Sequence, residues 1–78
     1  MMTWREAVEA AVRRHASKYP QGTFTRQDLL EAEEQRILSD SGGGGATPHQ
    51  TISRVLEELR DEGVIAFLDD KGTYQLTN

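Results

Sequence analysis

Residues 47–76 present a helix start, a helical apolar stripe, a helix stop and a hairpin in direct succession, and this order most restricts what the chain can become. Thr47-Pro48-His49-Gln50 reads as a capping box with proline at the first helical position, where the missing N–H has no helical partner to lose. Ile52, Val55, Leu56 and Leu59 follow at the i, i+3, i+4, i+7 spacing of one buried face. Gly63 stands just past the stripe, where a left-handed residue ends a helix. The spacing therefore predicts a helix over 48–62. Val64–Leu68 reads as a strand, Asp69–Gly72 as a turn with Gly72 at positive φ, and Thr73–Leu76 as the returning strand.

The first half supplies two more helices. Thr3 and Glu6 form a second capping box, and Trp4, Val8, Ala11, Val12, His15 and Tyr19 then fall on one helical face up to Pro20. His15, on that apolar face, reads as a core histidine with its hydrogen bonds satisfied. Thr23-Phe24-Thr25 fits a brief edge strand. Thr25 then caps a helix over 26–38, with Phe24 and Leu29 in the positions of a hydrophobic staple. Glu31, Glu33 and Glu34 read as a solvated face of that helix. Ser39–Ala46, holding the run Gly42–Gly45, reads as a mobile loop, because glycine gains nothing from packing and loses most entropy when ordered.

Helix, short strand, helix, helix, hairpin is the order of a winged helix-turn-helix, an α+β fold, filling residues 1–78 as one domain. Its expected core is Trp4, Val8, Val12, Phe24, Leu29, Leu30, Ile52, Val55, Leu56, Leu59, Ile65, Phe67, Tyr74 and Leu76. With 78 residues there is room for one core only. The chain lacks cysteine, so disulfide and thiolate–zinc chemistry are excluded. His15 and His49 match no metal-ligand spacing. The glycine run lacks the lysine and hydroxyl of a P-loop, and no nucleophile stands in a pattern that supplies it a base. The expectation is a non-enzymatic, cytoplasmic module with no cofactor and no membrane contact.

The net charge of −4 disfavours indiscriminate nucleic-acid binding, but it is unevenly spread: residues 1–27 carry +3 and residues 28–78 carry −7. The third helix repeats the division on a smaller scale. Its first turns hold Thr47, His49, Gln50, Ser53 and Arg54 off the apolar stripe, residue types that pair with base edges or phosphates. Its last turns hold Glu57, Glu58, Asp61 and Glu62, which phosphate repels. The expected DNA contacts are therefore Thr47, His49, Gln50, Ser53 and Arg54, with Lys71 on the turn; Arg54 can also pair with Glu58 one turn on. Arg13, Arg14, Lys18 and Arg26 are candidates for flanking phosphates. The rival expectation is a protein-interaction domain whose acidic surface meets a partner.

Leu59-Arg60-Asp61-Glu62-Gly63-Val64-Ile65, then Phe67, Gly72 and Tyr74, together with Phe24-Thr25 before an acidic helix, resembles the C-terminal winged-helix domain of Dam-replacing restriction endonucleases. The resemblance spans roughly residues 24–76. It implies a double-stranded-DNA reader with a nuclease domain in cis as its partner, in restriction-modification or regulation. In some members the reader senses N6-methyladenine. By resemblance, His49, Gln50, Ser53 and Arg54 would face the groove.

Overall fold

The order along the chain is α1 (Trp4–Ala16), β1 (Thr23–Thr25), α2 (Arg26–Ser41), α3 (Pro48–Asp61), β2 (Ile65–Phe67) and β3 (Thr73–Leu76). The structure is a computed structural model and describes residues 2–42, 48–69 and 72–77. It is an α+β arrangement of three helices and one antiparallel sheet with strand order β1-β3-β2. Among the described residues no helix is long and apolar enough to cross a membrane.

Each helix end has a local cause. The Thr3 hydroxyl accepts the Glu6 amide at 3.1 Å and the Glu6 carboxylate accepts the Thr3 amide at 2.9 Å, so the expected capping box opens α1. Thr25 caps α2 by accepting the Asp28 amide at 3.1 Å. At the end of α3, Gly63 adopts φ 81°, with its amide on the Arg60 carbonyl and the Val64 amide on the Leu59 carbonyl. That is a Schellman stop, and buried Val64 and Leu59 supply its apolar contact.

Several boundaries differ from the sequence reading: α3 ends at Asp61 rather than residue 62, β2 is Ile65–Phe67 rather than Val64–Leu68, and the ends of α1 and α2 shift further. Helix α1 ends at Ala16, so Tyr19 lies beyond it, 40% exposed, with its ring edge-on to His15 at 5.3 Å. Helix α2 runs on to Ser41 instead of stopping at Leu38. Residues Ser39–Ser41 are held by the Arg36–Asp40 pair at 3.3 Å, by the Met2 amide on the Asp40 carbonyl at 2.8 Å, and by Gly42 as a left-handed cap. Gly42 thus belongs to a helix end, while the rest of the expected mobile loop, 43–46, and the expected cap Thr47 lie outside the described residues.

The sheet register lines up three aromatic residues. Phe24 and Phe67 both lie opposite Tyr74, with ring centroids 5.5 and 4.7 Å from it. The row extends through His15, edge-on to Phe24 at 6.0 Å, and through the Arg60 guanidinium, 4.6 Å above the Phe67 ring. Val8, Val12, Leu29, Ile52, Leu56, Leu59 and Ile65 are fully buried behind this row. Trp4, Leu30, Phe67 and Leu76, expected in the core, are only partly buried at its margin. Ala7, Ala11, Ala16 and Ile37 fill it where helices approach closely, an effect of packing distance rather than of residue size.

Two polar residues inside the fold differ from expectation. Glu33 is not on a solvated face: it is 6% exposed and accepts Arg14 Nε at 3.0 Å and Nη2 at 2.5 Å. His15 is 3% exposed, and among the described residues neither of its ring nitrogens has a hydrogen-bond partner. It is not a satisfied core histidine, and burial holds its pKa below the ordinary value, with Lys18 adding to the effect.

Candidate functional site

The N-terminal end of α2, the first turns of α3 and the turn of the β2–β3 hairpin meet at Arg26. Arg26 follows the Thr25 cap, so it is the first residue of α2. Its amide donates to the Gly72 carbonyl at 2.8 Å, tying α2 to the hairpin turn. Its guanidinium Nη1 donates to Ser53 Oγ at 2.9 Å, tying α2 to α3. One arginine therefore links three elements while its side chain stays exposed.

Helix α3 presents opposite faces to the core and to solvent. Ile52, Val55, Leu56 and Leu59 are buried, which leaves His49, Gln50, Arg54, Glu57 and Glu58 exposed and Ser53 half-buried at the seam with α2. At 3.6 residues per turn, Gln50, Arg54 and Glu57 fall within roughly 60° of arc on the outer side. Among the described residues nothing pairs with Arg54, so the expected Arg54–Glu58 contact is not formed.

Between the starts of α2 and α3 lies an open cleft of about 450 Å³, lined by Thr25, Arg26, Gln27, Leu30 and His49. His49 Nε2 reaches the Glu34 carboxylate across its far end. The cleft combines a cation, an amide, a hydroxyl and an imidazole above the aliphatic Leu30. This lining suits a hydrogen-bonding ligand rather than an apolar one.

Electrostatics at the junction are mixed. Burial raises the pKa of Tyr74 above the ordinary tyrosine value; Arg26 opposes that shift and Glu57 reinforces it. Glu57 is exposed on α3, one helical turn beyond Ser53.

The expected site residues separate into three groups. His49, Gln50, Ser53 and Arg54 lie together on the first turns of α3. Thr47 and Lys71 lie outside the described residues. The expected phosphate contacts divide: Arg14 is bound to buried Glu33 and Arg13 to Glu9 at 3.0 Å, whereas Arg26 moves from the flank to the centre. Sequence reasoning missed Gln27 and the central place of Arg26. A partial signal was present, since a residue directly after a capping threonine starts its helix; which elements it meets there depends on the packing.

Comparison with protein-family models, with curated proteins and with solved structures finds no match for the chain.

Proposed function

We propose that the chain is a winged-helix module that reads double-stranded DNA, with the first turns of α3 in the major groove and the β2–β3 hairpin as the wing. The observation that carries this reading is the convergence at exposed Arg26, which joins the start of α2, Ser53 on the first turns of α3 and the turn of the hairpin. Helix starts favour phosphate through their free N–H groups and dipole. Gln50 pairs with adenine edges, Arg54 with guanine, and Ser53 with either a base or a phosphate. The remaining acidic surface limits attachment to DNA at large and leaves affinity to depend on a local fit. The sequence resemblance to restriction-endonuclease readers adds N6-methyladenine as a candidate mark and a nuclease domain as a candidate neighbour in cis.

Binding to a panel of duplexes, with and without N6-methyladenine, at several salt concentrations tests the reading. The expected result is binding that weakens with salt at a log–log slope of about −0.9 per phosphate contacted. Arg54→Ala should weaken the preferred duplex by about 1–3 kcal/mol if Arg54 reads a base. If it meets phosphate only, binding falls evenly across sequences and the slope shrinks by about one. Failure of the folded protein to bind any duplex at low salt overturns the reading. The second reading, a protein-interaction domain, is favoured by the charge of −7 on residues 28–78, and it predicts that outcome.

A further inference from the structure

Arg26, Leu30 and Glu34 recur every four residues along α2, and His49 and Ser53 stand four apart on α3, so each set shares a helix face. The two faces meet across the cleft through two polar bridges. Arg26 Nη1 donates to Ser53 Oγ at 2.9 Å, and His49 Nε2 donates to the Glu34 carboxylate. Half-buried Leu30 stands between the two bridges on α2 and lines the cleft with Gln27 and His49. Glu31 lines the cleft beside Glu34, and among the described residues it makes no bond to His49. The His49 side chain is 65% exposed and that of Glu34 26%, so the imidazole is the partner freer to leave.

The two bridges commit their donors differently. A guanidinium has several N–H groups, so Arg26 keeps donors to offer while one holds Ser53. His49 Nε2 has one proton, and the Glu34 carboxylate accepts it; a nitrogen so engaged has nothing left for a base edge or a phosphate. Glu34 also brings a negative charge to the first turn of α3, where the proposed reading puts DNA phosphates. The contact thus opposes a duplex twice, by engaging a donor and by repelling the backbone. Resting on the DNA reading above, we propose that Glu34 is an autoinhibitory residue: its carboxylate holds His49 in the free domain and gives it up when a duplex occupies the first turns of α3. What is lost on binding is one contact within the protein, so Glu34 lowers affinity for every duplex alike and leaves base preference unchanged.

Duplex binding by Glu34→Ala, Glu31→Ala, His49→Ala and the double variant Glu34→Ala with His49→Ala, each against the parent, tests this. Glu31→Ala removes the same charge from the same cleft without touching His49, and so measures the effect of charge alone. Glu34→Ala should tighten every duplex by about threefold more than Glu31→Ala does, the size of one partly exposed ion pair. In the His49→Ala background that excess should vanish, because there is no imidazole to release. Urea unfolding checks that each variant is folded. Glu34→Gln keeps the side-chain length and a weaker acceptor; it should shift affinity in the same direction by less, and it replaces Glu34→Ala if the alanine variant does not fold. The proposal is overturned if the Glu34 variant binds no tighter than Glu31→Ala, if it binds more weakly than the parent, or if the excess persists without His49. A folded parent that binds no duplex defeats the DNA reading and this role together. A parent that binds, with Glu34 and Glu31 variants indistinguishable, defeats this role alone.

Discussion

Arg14 and Arg26 both make their contacts at α2 and are used in opposite ways. On the α1 side, Arg14 is anchored to Glu33, a carboxylate 6% exposed, next to buried Leu29 and Ile37. On the α3 side, Arg26 reaches only a serine hydroxyl and keeps an exposed guanidinium at the meeting point of three elements. The α1–α2 seam binds its charge internally, and the α2–α3–hairpin junction leaves its charge available. A small domain that must both fold and bind needs both arrangements, because a buried unpaired ion destabilises the fold whereas a fully paired one cannot attract a ligand.

Changes at the seam should act on stability, and those at the junction on binding. The largest effect is expected from Leu29→Ala at the seam, about 2–5 kcal/mol in urea unfolding, because Leu29 is fully buried. Loss of less than that range would mean that the seam relaxes around the cavity. Arg14→Ala should follow at about 2 kcal/mol, below the value for a fully buried pair because Arg14 is half-exposed. The double variant Arg14→Met with Glu33→Leu should recover most of that loss, since a well-packed apolar pair often matches a buried ionic one. Arg26→Ala should invert the pattern: unfolding within about 1 kcal/mol of the parent, with duplex binding about tenfold weaker and a salt slope smaller by about one. An Arg26 variant that unfolds like the Arg14 variant would erase the distinction between the two regions.

The smallest effect concerns pH. His15 lies 3% exposed with neither ring nitrogen partnered among the described residues, and burial lowers its pKa below the ordinary 6.5. The unfolded chain therefore binds a proton more readily than the folded one, so stability is complete above pH 6.5 and declines as pH falls through it. Glu33 and Asp28 temper the shift and Lys18 deepens it. His15→Phe should remove the decline between pH 7.5 and 5.5, measured as urea midpoints relative to the parent. An unchanged pH dependence would locate the titrating group elsewhere.

The capped and stopped elements were legible in the chain. Thr3 and Glu6 define the start of α1, Thr25 that of α2, and Gly63 the end of α3, because these motifs act over four residues and need no distant partner. The hairpin Ile65–Leu76 was legible from alternation around Gly72. The fate of the glutamates was not, since Glu31, Glu33 and Glu34 are equivalent until α1 and α3 are placed. Only then does Glu33 meet Arg14 and Glu34 meet His49. The extension of α2 to Ser41 also escaped notice: the Arg36–Asp40 pair and the Gly42 cap are local, but the Met2 amide on the Asp40 carbonyl arrives from another part of the chain.

The sequence by itself determined three helices, their order, the closing hairpin and the polar character of the first turns of α3. Periodicity, caps and turn residues are local, and local free energies are written in the residues that carry them. Only the tertiary structure decided that β1 pairs with β3, that Phe24, Tyr74 and Phe67 form one row, and that Arg26 belongs to the candidate site while Arg14 belongs to the fold. The physical reason is that a charge or an aromatic ring has no fixed role along a chain. Its role follows from the desolvation and the partners it finds when distant segments meet.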